Sequence, residues 1–306
     1  MSSTEIGAAD DPRNGDPRNG GPLLAPGLLA QLEQVQMHTR RRLAGKFAGE
    51  HRSPRYGSSL DFADEREYHP GDDYRRIDYP LYARTGQLCI RLFEAEDDLS
   101  MRILLDVSAS MGHHGKLQQA KRLAAALGFV ALTRRDVVTL HLEPGLRTAQ
   151  RFSGRNAIGA LFKALEQAQP AGLTDLRSAA GDVLARPGPA GSTIVISDLL
   201  TPSWEPAIDR LPARGGEVTV LHVLAEEELN PTLIGDLDVV DAESGEHVAV
   251  SLSLATIREY REVVDRWLLE AASRCRSRGA TYLRVMAQEP IEDVLLRGWR
   301  EQGLVR

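Results

Sequence analysis

The chain has 306 residues, with 37 Lys and Arg against 43 Asp and Glu and a formal net charge of −6, a balance that argues against general affinity for nucleic-acid phosphates, which needs excess cation. Its 42% apolar content is enough for a core of one large domain or two smaller ones, yet the longest apolar stretch, Leu123 to Leu132, is closed by charged neighbours well short of the ~20 residues that cross a bilayer. The polar start predicts no secretory leader. The two cysteines, Cys89 and Cys275, form no C-x-x-C pair, so a cytoplasmic protein with free thiols and no membrane span is expected.

Residues 1–25 are rich in Gly, Pro, Asn and Asp and repeat Asp-Pro-Arg-Asn-Gly from Asp11 and again from Asp16, which predicts a disordered tail. Leu28, Leu32, Val35, Thr39 and Leu43 keep helical spacing, and Arg40, Arg41 and Arg42 load the C-terminal end of that helix, where cations suit the dipole. From Gly45 to Arg84 charge, Gly, Pro and Tyr dominate without periodicity. Composition reads this as a long loop, and its interleaved aromatics and opposite charges predict an ordered polar network. Residues 26–100 are therefore expected to form an N-terminal helix and a polar segment ahead of the main domain, 101–306. Leu88, Ile90 and Leu92 alternate as a strand, expected to pair with the strand that ends at Asp106.

That strand, Ile103 to Asp106, opens alternating α/β units. Leu117, Ala120, Leu123, Ala124, Leu127 and Val130 predict an amphipathic helix, and Val137 to Leu142 the next strand. A short strand near Thr148 to Phe152 precedes a helix from about Asn156 to Ala168, and a further helix runs to about Leu184. Ser192 to Leu199 is a second buried strand ending in an aspartate, and Glu217 to Leu224 follows a helix near Trp204 to Leu211. Leu237 to Ala242 and His247 to Leu252 read as a β-hairpin inserted near 237–252. A long helix then spans Thr256 to Arg278, with Cys275 on its apolar side, before a last strand, Thr281 to Met286, and a helix opening at Pro290. The pattern predicts a mostly parallel sheet covered by helices on both faces.

Asp106, Ser108 and Ser110 alternate at a strand tip, the place where open α/β sheets bind ligands. Three converging oxygens suit a hard cation such as magnesium. The alternative is structural: Asp106 closes the strand end and the serines cap the next helix. Two further tips offer oxygens, Thr174 with Asp175 and then Asp198. His113 and His114 lie in the first loop, either at the rim of a metal site or simply solvated. Arg75 and Arg76 would bind an anion or pair with Asp72, Asp73 or Asp78.

The set Asp106, Ser108, Ser110, Thr174 and Asp198 resembles the metal-ion-dependent adhesion site of von Willebrand factor A-like domains. Arg66-Glu-Tyr-His-Pro-Gly-Asp-Asp-Tyr-Arg-Arg-Ile-Asp78, Ala83-Arg84 and Asp106-Val-Ser-Ala-Ser-Met111 resemble the signature of the bacterial domain-of-unknown-function 58 family. The resemblance implies an A-like fold, no enzymatic activity, and one Mg2+, or else Mn2+ or Ca2+. Ser108 and Ser110 would bind it directly, Asp106 and Asp198 directly or through water, and Thr174 on ligand binding. It also implies an adaptor or co-chaperone for a MoxR-like AAA+ ATPase, acting on a client protein that supplies an acidic ligand. Two positions depart from the pattern: Ser197-Asp198-Leu199 stands where many A-like domains have Thr-Asp-Gly, and Tyr79 where Trp is frequent. The residue-based alternative is a magnesium-dependent phosphatase or other hydrolase using Asp106. Such chemistry usually wants a second acid two residues on, and that position is Ser108.

Overall fold

A computed structural model describes residues 22–33, 62–69, 74, 77–93, 100–145, 149–186, 191–214, 216–241 and 245–295. These fall into two compact units, residues 22–33 with 100–295, and residues 62–93.

In the larger unit a short helix, α1 (26–33), is followed by β3 (Ser100–Asp106), α3 (Lys116–Thr133), β4 (Val137–Glu143), β5 (Gln150–Ser153), α4 (Ile158–Gln167), α5 (Leu176–Ala185), β6 (Gly191–Ser197), α6 (Trp204–Arg210) and β7 (Val218–Leu224). Then come α7 (Glu226–Leu229), β8 (Gly235–Val240), β9 (His247–Leu252), α8 (Leu254–Ser277), β10 (Thr281–Met286) and a terminal helix, 291–295. Six strands form one sheet in the order β10-β7-β6-β3-β4-β5. Neighbours run parallel throughout, except that β5 lies antiparallel on β4 at the edge.

Alternation along the strands divides the core in two. Ile103 and Leu105 of β3 join Val138, Leu140, Ile194 and Ile196 beneath α3 and α4, and Leu23, Leu24, Leu28 and Leu32 from residues 22–33 belong to the same layer. Leu104 and Val195 face the other way, into α5, α6 and Ala271 and Cys275 of α8. This is the doubly covered, mostly parallel sheet that the sequence pattern predicts, in a von Willebrand factor A-like arrangement. Because α3 carries the chain from β3 to β4 and β6 then returns to the far side of β3, the carboxyl ends of β3, β4 and β6 surround a topological switch point. Cys275 is buried, and burial raises its thiol pKa to about 11, so it is a core residue. The hairpin of β8 and β9 pairs from Gly235↔Leu252 to Val240↔His247.

In the smaller unit β1 (Phe62–Glu67), α2 (Tyr79–Thr85) and β2 (Cys89–Phe93) occupy the polar segment and the strand after it. Two corrections follow. The stretch composed like a loop contains a strand and a helix, and β2 pairs antiparallel with β1, not with the strand ending at Asp106, whose two neighbours are β4 and β6. A mid-sheet strand has no free edge to offer. The cues for α2 were present: Asp78 accepts the Leu81 amide at 2.9 Å, Pro80 sits in the first turn, and Gly86 closes the helix in the left-handed conformation. Residues 34–43 of the first expected helix, and Asp72, Asp73, Arg75 and Arg76, lie outside the described residues, as do residues 1–21 of the expected tail 1–25, while in its last stretch, 22–25, Leu23 and Leu24 are buried in the core.

Gly191 pairs with Ser100 where β6 meets β3, and a Cβ there would lie 1.9 Å from the Ser100 carbonyl oxygen. A backbone atom cannot yield as a flexible side chain can. Gly191→Ala is expected to cost ~1–3 kcal/mol of stability, as overpacking does, measured as a lower urea midpoint at unchanged slope.

His141 on β4 is 8% exposed, and its Nε2 has no hydrogen-bond partner among the described residues. Burial first, and the nearby Arg186 charge second, bring its pKa from 6.5 down to about 4. Protons therefore bind the unfolded chain more readily, and the stability that neutral His141 confers is complete above pH 6.5 and lost as the pH falls towards 4. The loss attributable to this residue is at most about 3 kcal/mol. Urea titrations from pH 7 to 4 should show a shallower decline in His141→Gln than in the wild type.

Candidate functional site

Asp106 ends β3 with 1% of its surface exposed. Its Oδ1 accepts the Ser108 amide at 2.9 Å and the Thr174 hydroxyl at 2.6 Å, while Oδ2 accepts the Ser197 hydroxyl at 2.6 Å. One carboxylate thus ties together the loop after β3, the loop before α5 and the tip of β6. Burial, reinforced by the charge of Asp198, raises the Asp106 pKa above the ordinary carboxylate value despite these donors. Backbone pairing sets the first two loops side by side: Ala109 N–H donates to the Gly172 carbonyl at 3.1 Å and Ala171 N–H to that of Val107 at 2.8 Å.

The Ser108 and Ser110 hydroxyls face each other at 3.0 Å. Ser108 is buried and Ser110 half-buried, so the pair marks the route from the carboxylate to the surface. Neither serine caps α3, whose preceding residue is Gly115. Thr174 spends its proton on Asp106 or on the Glu143 carbonyl, 3.2 Å away, and its oxygen keeps lone pairs for another partner. Asp175, by contrast, caps α5 through the Ser178 amide at 3.1 Å and takes no part in the cluster. His113 and His114 are exposed, with His114 Nδ1 3.8 Å from Glu227.

Asp198 is placed differently. Its Oδ2 accepts Lys116 Nζ at 2.7 Å and its Oδ1 the Leu200 amide at 3.1 Å. Lys116 is fully buried at the first position of α3 and also donates to Glu228 Oε1, whose other oxygen accepts the Ala225 amide at 3.0 Å. Burial alone would push the lysine towards its neutral form. The Asp198 and Glu228 charges outweigh burial and hold its pKa above the usual lysine value.

His222 Nε2 lies 2.8 Å from the Asp198 carbonyl and Nδ1 2.8 Å from the Tyr282 hydroxyl. A carbonyl only accepts, so Nε2 carries the proton and Nδ1 takes the tyrosine's. Burial brings the His222 pKa down to about 4, consistent with that neutral tautomer. Leu199, standing where glycine is frequent, has φ +55° yet is buried in the core. The loop therefore makes the left-handed turn with a leucine, at a steric cost of ~1–2 kcal/mol set against burial of an apolar side chain worth ~1.5–3 kcal/mol.

Among the residues named from the sequence, Asp106, Ser108, Ser110 and Thr174 are brought together, while the Asp198 side chain turns to Lys116. Among the described residues no group of three or more His, Cys, Asp or Glu could hold a metal, so hydroxyl oxygens would have to dominate any ligand set. Ser108, Ser110 and Thr174 fit that demand, because hard cations accept neutral oxygens. Asp198 does not fit while an ammonium occupies it.

Lys116, Ser197 and Glu228 were not singled out from the sequence. For Lys116 a signal existed: a cation in the first turn of a helix opposes the dipole, and α3 has no acidic residue there to offset it. Ser197 entered the sequence reading only within a strand and the Ser197-Asp198-Leu199 departure, with no role at the site. Glu228 sits in the run Glu226-Glu-Glu, which reads as a solvated face.

Comparison with known proteins gives one family and distant structural likenesses. The chain is 27% identical over 268 residues to uncharacterized proteins of Mycobacterium tuberculosis and Mycobacterium bovis, covering 84% of this chain and 84% of theirs. Among solved structures it is similar to the conserved hypothetical protein BatB from Bacteroides thetaiotaomicron, with TM-score 0.42 and 17% identity over 67% of this chain and 98% of that one. It is also similar to an aerotolerance-related membrane protein from Bacteroides fragilis, with TM-score 0.37 and 21% identity over 61% and 91%. The family model described as protein of unknown function DUF58 matches residues 64–266, which take in most of β1, all of α2 and β2, the Asp106 cluster and Glu228. With two thirds of its length matched, including every loop of the strand-tip site, the chain belongs to the DUF58 family.

Proposed function

We propose that this protein is a non-enzymatic interaction module whose strand-tip hydroxyls hold a magnesium ion, and that the ion takes a carboxylate from a partner protein. The observation that carries this reading is the convergence of Ser108, Ser110 and Thr174 around the buried Asp106 carboxylate. Asp106 orients Thr174 by accepting its hydroxyl proton and the serine loop by accepting the Ser108 amide, the Ser108 and Ser110 hydroxyls bond each other, and the buried carboxylate favours a cation beside these oxygens. Bound there, the ion would supply a Lewis-acidic position open to an anionic ligand. Neutral ligands leave it poorly neutralised, so a carboxylate from outside is attractive.

The family resemblance suggests the class of partner: a MoxR-like AAA+ ATPase, with this chain as adaptor or co-chaperone in assembling a client complex. The chain has no G-x-x-x-x-G-K-[ST] loop, so nucleotide chemistry would come from that partner. Among the described residues no helix is long and apolar enough to cross a membrane, which is compatible with the cytoplasmic setting this reading assumes. The phosphatase alternative asks Asp106 for a free oxygen facing substrate, and both of its oxygens accept buried hydrogen bonds.

Asp106→Ala would strand three buried donors, at ~1–3 kcal/mol each, so the cleaner probe is Ser108→Ala with Ser110→Ala, which keeps the Ser108 amide on Asp106. In a pull-down with the full chain as bait, the wild type in magnesium should retain an AAA+ ATPase, identified by mass spectrometry. EDTA or the double serine variant should release it; retention under every condition would remove the metal from the account. With p-nitrophenyl phosphate and magnesium we expect no turnover above that of Asp106→Asn, and a rate abolished by that substitution would restore the phosphatase reading.

A further inference from the structure

The first turn of α3 begins six residues after the serine motif ends, and it opens with a residue that helix electrostatics disfavours. Lys116 has no exposed surface, and its ammonium sits between two carboxylates, Asp198 Oδ2 at 2.7 Å and Glu228 Oε1. The positive end of the helix dipole repels a cation there. The two acids overcome that repulsion, and together they join α3, the tip of β6 and α7 around one charge.

Asp198 closes one side of the strand-tip site, near enough for its charge to raise the Asp106 pKa. Its Oδ1 is occupied by the Leu200 amide and its backbone carbonyl by His222. A metal reaching this carboxylate would meet a group whose charge Lys116 already neutralises at Oδ2.

We infer that Lys116 is a built-in cation that competes with the divalent ion for Asp198 and thereby lowers the affinity of the strand-tip site. The inference rests on the reading of Ser108, Ser110 and Thr174 as cation ligands. A divalent ion can then be held by the hydroxyls and the field of Asp106, while full ligation through Asp198 requires the ammonium to leave. An ion bound at Oδ2 beside a resident ammonium meets its repulsion at close range, and the lysine already neutralises the charge that would attract the ion. Glu228 is the second anchor: it keeps Lys116 in place and so acts on the metal only through the lysine.

Lys116→Met alone would leave the buried Asp198 and the half-buried Glu228 carboxylates side by side with no cation, a severe perturbation. The variant to measure beside it is therefore Lys116→Met with Glu228→Gln, which removes one charge of each sign and frees Asp198. Titration of the full chain with MnCl2, followed by water-proton relaxation, should show binding tighter than wild type by roughly tenfold or more in this double variant. Mn2+ should also raise its melting temperature at concentrations that leave the wild type unmoved. The gain should vanish when Ser108→Ala and Ser110→Ala are added; a gain that survives them would put the ion elsewhere and overturn the inference. Wild-type binding that the serine substitutions abolish but the Lys116 variant leaves unchanged would overturn the competition and leave the strand-tip metal site standing. No Mn2+ binding by any form would overturn both.

Discussion

One buried carboxylate organises the carboxyl edge of this sheet. Asp106 accepts hydrogen bonds from its own loop, from the loop before α5 and from the tip of β6, and each donor belongs to a segment that the chain reaches by a different crossover. A charge with 1% exposure is costly unless such donors surround it. The same donors would be stranded without it, so the three loops and the carboxylate require one another. Thr174, one of the two hydroxyls that satisfy Asp106, is also an oxygen a cation would use, and the Ser108 amide held by Asp106 fixes the loop that carries the serine hydroxyls, so the structural role of this cluster and its proposed ligand-binding role share residues.

Beside it lies a second carboxylate governed by a different rule. Asp198 is neutralised by the Lys116 ammonium, which Glu228 also holds, and its backbone carbonyl accepts from His222, itself held by the Tyr282 hydroxyl. The left-handed turn at Leu199 is sustained by burial of its side chain, a device that lets the third loop keep its shape without glycine. The two acids are neighbours in space yet differ in what surrounds them. Hydroxyls and an amide leave Asp106 with an unneutralised charge, whereas Lys116 cancels that of Asp198.

Most of the α/β framework was legible in the chain. Helical spacing from Leu117 to Val130 and the apolar runs ending at Asp106 and Asp198 mark buried elements whose packing is local in character. The smaller unit was harder to read because β1, Phe-Ala-Asp-Glu-Arg-Glu, is charged and carries little of the apolar alternation that reveals a strand. Its pairing with β2 depends on main-chain hydrogen bonds, to which composition is blind. Assigning β2 to the strand ending at Asp106 failed for a related reason: both edges of β3 are taken by β4 and β6, a fact of sheet order.

By itself the sequence determined the layered fold, the tips at which polar residues gather, and four oxygen-bearing side chains of the cluster, because periodicity and strand-end motifs are short-range properties of the chain. Only the tertiary structure decided which partner each acid has. Lys116 meets Asp198 across 82 residues and Glu228 across 112, and no local pattern records a contact made by crossovers of that length. Whether a carboxylate waits for a cation or already holds one is a question of charges brought together by the fold.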